Sequence, residues 1–275
     1  MLEIAESYTI AEQMRKSLVG KIVSEIVVLH SPHKFMWFWG ERETFEELLE
    51  GKQVTGAKQY GGIIELELET VRVTFSDGAY PRYYDNSKKF PKKHQFMMIF
   101  DDDTAISVSV QMYGAVGIFE EGTYDGDYYI GSKEKPSPLD DRFTYAYFKQ
   151  IYNQSGGKKV SAKAFLGTQQ RFPGIGNGTL QDILYHAGLH PKCDMATVSE
   201  EELKKLYTCL RDTVKEMCQK GGRDTEKDLF GVEGTYQTWL SKKTVWTPCP
   251  QCGYELHKGS YLGGTIYYCE HCQRM

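Results

Sequence analysis

Residues 4 to 18 place Ile4, Tyr8, Ala11, Met14 and Leu18 at helical spacing, and Gly20 follows at the position of a C-cap. This pattern predicts a short amphipathic helix. From Ile22 to Leu29 and from Ile63 to Phe75 the period becomes that of strands, with strict alternation in Ile64-Glu65-Leu66-Glu67-Leu68. Further strands are expected at Phe96 to Phe100, Ala105 to Val110 and Ala115 to Phe119, with Asp101-Asp102-Asp103 as a turn. A helix over Glu43 to Leu49 interrupts this mostly β half. Gly131 to Asp141 carries the proline and charge content of a linker. Beyond it, segments 143 to 154, 161 to 167, 178 to 187 and 199 to 219 are helical in period. The last opens on a Ser199 to Glu202 capping box and ends at Gly221-Gly222.

The C-terminal stretch changes pattern again. Cys249-Pro-Gln-Cys252 and Cys269-Glu-His-Cys272 are two C-x2-C pairs separated by sixteen residues, the spacing of a four-thiolate zinc site. Between them, glycines alternate with strand formers such as Tyr261, Leu262, Ile266 and Tyr267, which predicts a hairpin. The chain therefore reads as carrying a zinc ribbon with one structural Zn2+ on Cys249, Cys252, Cys269 and Cys272. Two disulfides would need an oxidising compartment, and nothing in the first residues resembles a secretory signal.

Composition is that of an ordinary soluble chain, 40% hydrophobic and 25% charged. No apolar run approaches the ~20 residues of a membrane span, so a cytoplasmic protein without a membrane partner is expected. The net charge of −4 does not by itself suggest nucleic acid. The halves differ: 16 Lys+Arg against 13 Asp+Glu from residue 151 onward leave 17 against 24 before it, that is +3 against −7. Cys193, Cys209 and Cys218 are irregularly spaced and read as ordinary thiols.

Arg171-Phe-Pro-Gly-Ile-Gly-Asn177-Gly-Thr-Leu-Gln-Asp182 sets glycines before a helix start, where exposed amides form an anion site suited to DNA phosphate. Read alone, a glycine turn between packed helices explains it as well. The run from Ala162-Lys163 through Pro173-Gly-Ile-Gly-Asn177 to Ala187-Gly-Leu-His190-Pro191, with the terminal four-cysteine ribbon, resembles the formamidopyrimidine-DNA glycosylase and endonuclease VIII family. The likeness covers nearly the whole chain, specifically in the helical half and ribbon, more loosely in the β half. It implies a multidomain α+β fold: an N-terminal helix and β-sandwich over 1–130, a linker at 131–142, a helix-two-turn-helix domain at 143–240 and the ribbon at 241–275. It also implies a monomer that binds damaged or abasic duplex DNA, of bacterial type and nucleoid-associated when bound.

By the same resemblance, Asn177 is the phosphodiester-contacting asparagine, Lys58 a phosphate-binding lysine on a β-domain loop, and Lys93-His94 a paired basic site. Lys88, Lys89, Lys92 and Lys93 form a basic cluster that suits counterion release, or else a solvated loop. In the family a proline exposed by methionine removal attacks the sugar C1′, and the adjacent glutamate assists. Here Glu3 and Glu6 stand at the glutamate positions, but Leu2 replaces the proline. The candidate amines are those of Leu2, of Met1, which a bulky second residue is expected to retain, or of Lys58.

At Val110-Gln111-Met112-Tyr113-Gly114 the family has Asp-Pro-Arg-Arg-Phe-Gly, which fills the gap left by the extruded base; Met112 and Tyr113 are the corresponding wedges, or else strand residues facing the core. Arg223 and Lys227, in the Gly221 to Gly231 stretch, either meet phosphate or pair within their own acidic loop. The family's finger arginine falls on Gly264, which leaves Lys258 as a DNA contact of the hairpin. Two functions follow: a base-excision DNA glycosylase and AP lyase removing an oxidised base, or a catalytically impaired damaged-DNA-binding protein on the same scaffold.

Overall fold

The computed structural model describes residues 1–155 and 160–275; residues 156 to 159 of the expected helical domain lie outside the described residues. The elements run α1 (Ile4–Leu18), β1 (Val23–Val28), β2 (Met36–Trp39), α2 (Phe45–Leu49), β3 (Val54–Tyr60), β4 (Ile63–Leu68), β5 (Val71–Asp77) and β6 (Pro81–Tyr84). Then come β7 (Phe96–Phe100), β8 (Ala105–Val108), β9 (Gly114–Glu120), α3 (Asp127–Glu134), α4 (Tyr145–Ser155), α5 (Ala162–Gly167), α6 (Thr179–Ala187) and α7 (Glu200–Gln219), with β10 (His257–Tyr261) and β11 (Gly264–Tyr268) last.

A four-stranded sheet, β1-β7-β8-β6, faces a five-stranded sheet, β2-β9-β5-β4-β3. Their inward residues, among them Ile26, Phe96, Met98, Ile106, Leu66, Phe75 and Val116, close one apolar core. β2 joins its sheet as a parallel edge strand on β9. The expected run Ile63 to Phe75 is a hairpin, turning at Glu69, whose φ is +53°. β2, β3 and β6 are additional to the expected strands. The first four residues of the expected linker, 131 to 134, are the last turn of α3.

Helices α4 to α7 enclose a second core built on Phe148, Phe165, Phe172, Leu184 and Leu206. α7 begins with the expected capping box: the Ser199 hydroxyl accepts from the Glu202 amide (3.2 Å), and the Glu202 carboxylate accepts from the Ser199 amide (2.8 Å). α1 supplies Ile10, Met14 and Leu18 to the first core and Ile4 and Ala5 to the second, while Tyr8 stays exposed.

The segment leading to the ribbon is fixed by a buried carboxylate. Asp182 of α6 accepts the amides of Trp239 (3.0 Å) and Leu240 (2.8 Å), yet burial outweighs these bonds and pushes its pKa up to about 6. The folded protein thus holds this proton more tightly than the unfolded chain. The contribution of Asp182 to stability is greatest below its ordinary value of 3.8 and falls as pH rises towards 6. Asp182→Asn is expected to remove that fall. The unfolding free energy of the wild type minus that of the variant, from urea titrations, should drop by on the order of 3 kcal/mol between about pH 4 and 6 and stay flat above.

Candidate functional site at the junction of the two halves

The segment before α1 threads between two glycine turns. The amide of Ile4 donates to the Gly174 carbonyl (2.9 Å), and the Ser7 hydroxyl to that of Gly61 (2.6 Å). Gly174 has φ +82° and lies against Gly61 and Gly62 so closely that a Cβ would fall 2.7 Å from the Gly62 amide nitrogen. Only glycine permits this approach. It brings the start of α6 over the first residues of the chain.

Glu3 occupies the anion site that the glycine turn creates. Its carboxylate accepts the amides of Gly178 (2.9 Å) and Thr179 (2.7 Å) at the head of α6. The anion held there is a side chain of the protein itself, in place of the DNA phosphate expected from the sequence. Glu6, one turn along α1, takes a forked pair from Arg223, with Nε–Oε1 at 3.0 Å and Nη2–Oε2 at 2.9 Å; Nη1 lies 3.4 Å from Glu3. All three side chains are buried. Arg223 therefore does not meet phosphate, and its partners lie outside its own loop. Burial works against its charge, but Glu3 and Glu6 outweigh this and raise its pKa.

Two of the remaining acids of that loop, Asp224 and Asp228, are also occupied. Asp224 accepts from the Thr238 hydroxyl (2.9 Å) and Asp228 from the Gln13 amide (2.7 Å), while Lys227 is exposed.

Leu2 is buried in the β core, and its amide donates to the Asp77 carbonyl; the Tyr80 hydroxyl donates to the Met1 carbonyl (2.9 Å). The α-ammonium of Met1 sits beside Asp77 and Glu226. Burial raises both carboxyls above their ordinary values; the ammonium opposes this at Asp77, and Arg223 and then the ammonium oppose it at Glu226, without cancelling it. Four carboxylates, Glu3, Glu6, Asp77 and Glu226, thus face one guanidinium and one ammonium. Asp77 and Tyr80 carry no local motif, and sequence reasoning missed them; Glu226 was read only as one of the acids of its own loop.

The other candidates are spread around this centre. Lys58 lies on strand β3, where a loop was expected, and pairs with Glu67 at 2.6 Å. His94 is buried, stacked on His30 with ring centroids 4.7 Å apart, and burial lowers its pKa. Lys88, Lys92 and Lys93 are exposed and make no ion pair among the described residues. Lys93 abuts the β8–β9 loop, its carbonyl accepting from the Ser109 hydroxyl (2.8 Å). On that loop Met112 is 72% and Tyr113 38% exposed, so neither faces the core.

Asn177 and Gln181 tie α6 to the ribbon through the Thr265 carbonyl, at 2.9 and 3.1 Å. Lys163 donates to the Tyr261 carbonyl (2.7 Å), and its Nζ would lie 3.2 Å from a Cβ at Gly264. Its ammonium stands beside the position that lacks the arginine. Lys258 is exposed on β10.

In the ribbon, the sulfurs of Cys249, Cys252, Cys269 and Cys272 all lie within 4.8 Å of one another. Cys249–Cys272 is 3.8 Å and Cys252–Cys269 3.5 Å, close to the ~3.8 Å edge of a tetrahedron with ~2.3 Å zinc–sulfur bonds. Burial opposes the Cys249 thiolate, but the Tyr185 hydroxyl and the amides of Gln251 and Cys252 prevail and bring its pKa to about 6. Four cysteine sulfurs at this spacing fit a metal ion such as zinc.

No family model matches the chain. Full-length relatives do. A formamidopyrimidine-DNA glycosylase of Lactobacillus delbrueckii subsp. bulgaricus is 24% identical over 287 residues, covering 100% of both chains. One of Enterococcus faecalis is 25% identical over 292 residues, covering 100% of this chain and 98% of that one. Among solved structures, the MutM (Fpg) protein of Thermus thermophilus superposes with a TM-score of 0.82 at 21% identity, over 98% of each chain. The Lactococcus lactis Fpg bound to DNA containing an abasic site gives 0.83 at 19%, over 99% of this chain and 100% of that one. These superpositions show a common fold. No helix among the described residues is long and apolar enough to cross a membrane.

Proposed function

We infer that this chain, which belongs to the formamidopyrimidine-DNA glycosylase family, binds damaged duplex DNA and acts as a base-excision glycosylase and abasic-site lyase through the α-amine of Met1. The observation that carries this reading is the acidic surplus around that amine. A surface meant only to hold DNA phosphate is weakened by four carboxylates at its centre. The same carboxylates stabilise the positive charge that develops on the sugar and then on the iminium as amine replaces base.

A neighbouring carboxylate takes a proton from the α-ammonium; the freed amine nitrogen forms a bond to C1′ as the glycosidic bond breaks, its electron pair leaving with the base, and the same carboxyl then gives that proton to the base. The ammonium so formed on C1′ passes a proton to the ring oxygen as the C1′–O4′ bond breaks, which leaves the iminium. Both oxygens of Glu3 already hold α6 amides, so proton transfer falls to Asp77 and Glu226, whose carboxyls burial holds up. Glu3 and Glu6 position the terminus and supply field.

Borohydride reduction on duplex containing an abasic site, followed by peptide mapping, is expected to yield a covalent adduct on the N-terminal residue. Intact mass establishes whether that residue is Met1 or Leu2. Tight DNA binding with no trapped adduct and no strand cleavage across a lesion panel would overturn the catalytic part. It would leave the second reading, a non-catalytic damage-binding protein, which the Leu2 amide engaged to Asp77 favours.

DNA contact is supported by the exposed Lys92 and Lys93 beside the Met112-Tyr113 loop, and by relatives crystallised with DNA. On the ribbon, Lys258→Ala is expected to reduce the slope of log affinity against log salt by about 1. An unchanged slope removes Lys258 from the contact set.

A further inference from the structure

From Leu2 onward the start of the chain is held at every residue. The Leu2 side chain is 2% exposed within the β core, and its carbonyl oxygen lies 2.7 Å from where a Cβ at Gly62 would stand. The Glu3 carboxylate is bonded to the head of α6 and the Ile4 amide to the Gly174 turn. Met1 alone stands outside this packing, 52% exposed. The peptide unit that joins it to Leu2 is nevertheless gripped from both edges. Its N–H, on Leu2, donates to the Asp77 carbonyl, and its C=O, on Met1, accepts from the Tyr80 hydroxyl (2.9 Å).

Both gripping groups come from one tight turn. Asp77 has φ +58°, the Ala79 amide donates to the Ser76 carbonyl (3.0 Å), and Ala79 is buried. Pro81 then fixes the direction in which β6 leaves. The Tyr80 ring lies under the Arg82 guanidinium, 5.4 Å from its centroid. Burial, with Glu226 and Glu6 nearby, raises the Tyr80 pKa against the opposing Arg223, so the hydroxyl keeps its proton to donate. A peptide plane is rigid. Once both its edges are held, the place of the terminal nitrogen depends on a single torsion, about the Cα–C bond of Met1. With one edge released the plane also turns about the Leu2 N–Cα bond, and the nitrogen sweeps a surface in place of an arc.

We propose that Tyr80 is a positioning residue for the terminal amine: its hydroxyl, acting with the Asp77 carbonyl, fixes the Met1–Leu2 peptide plane and confines the nitrogen to an arc beside the Asp77 and Glu226 carboxylates. The proposal rests on the reading that the Met1 amine attacks C1′. The arrangement suits a chain that keeps its first residue. Removal of Met1 would take away the carbonyl that Tyr80 holds and make the amine of Leu2, whose side chain is committed to the core, the new terminus. Orientation of an attacking group is a large lever, since a displacement of about 1 Å can cost about a hundredfold in rate. A tether that served stability alone would hold the carbonyl equally well but would leave the rate on bound DNA untouched.

The test uses the full chain and Tyr80→Phe, which removes the hydroxyl and keeps the ring under Arg82. Intact mass is read first, and a wild type lacking Met1 would overturn the proposal. Two quantities are then compared: the single-turnover rate of borohydride trapping on saturating abasic duplex, and the Cα–H order parameter of Met1 by NMR in methionine-labelled protein. Tyr80→Phe is expected to slow trapping by about tenfold or more while affinity for a tetrahydrofuran duplex stays within about twofold. Its Tm should stay within about 2–4 °C of wild type. The order parameter should fall from about 0.8 to below about 0.6. The pH midpoint of trapping should not move, because the hydroxyl orients the amine and transfers no proton; a moved midpoint would make Tyr80 a proton-transfer group and overturn the assignment. An unchanged order parameter overturns the grip, and lost order with an unchanged rate overturns its use in the reaction. Absence of any trapped adduct in the wild type sinks the nucleophile reading alone, and the order parameter then still decides whether Tyr80 fixes the amine.

Discussion

Arg223→Met is expected to destabilise the protein by about 3–5 kcal/mol, the cost of leaving a buried charge without its partner. The guanidinium is 3% exposed and serves Glu6 through a fork and Glu3 through Nη1; removing it leaves two carboxylates in a space that water does not reach. In thermal unfolding this corresponds to a Tm lowered by on the order of 10 °C for a chain of this size. Arg223→Lys keeps the charge but not the fork, and should fall between the two. The double variant Arg223→Met/Glu6→Gln, which removes a charge from each side, should recover part of the loss. A Tm within about 2–3 °C of wild type for Arg223→Met would mean the carboxylates find water or protons, contrary to their burial.

The second large effect is removal of metal from the ribbon. Structural zinc contributes on the order of 10 kcal/mol to small sites of this kind, and the hairpin between the cysteine pairs has only a small core, Tyr185, Leu240 and Leu256 beside the cysteines. Treatment with a strong chelator, or Cys269→Ser, is expected to release about one zinc per chain and to unfold β10 and β11. The bonds from Asn177 and Gln181 to Thr265 would be lost with them. Hydrogen exchange should show fast amides over 257–268 while the β-sandwich stays protected, and DNA affinity should fall by at least tenfold. Metal analysis showing no zinc in active protein would refute the assignment.

Much of the fold was legible because its signals are local. The period of α1, the Ser199–Glu202 box and the two C-x2-C turns each need only a few neighbouring residues. β2 was not legible: Met36-Trp37-Phe38-Trp39 is apolar at every position, so alternation is hidden although Phe38 faces the core and both tryptophans face out. β3 carries Gly56 and a mixed polar pattern, and it is recognisable only beside β4.

The site was half legible. Glu3 and Glu6 stood out by resemblance to a family, but the role of Arg223 did not. Its nearby acids Asp224, Glu226 and Asp228 suggested pairing within the loop, whereas Glu6 lies 217 residues away.

The sharing of α1 between the two cores has a consequence for biogenesis. Residues that leave the ribosome first bury Met14 and Leu18 with the β half, yet Glu3 and Glu6 have no counterparts until positions 178 and 223 have been made. The opening turn of the molecule must wait, unmatched, through most of translation, and the surroundings of the proposed amine are assembled only when the last helix and its following loop arrive. A nascent chain halted before residue 223 would thus carry a folded sandwich while Glu6 still lacked its buried guanidinium.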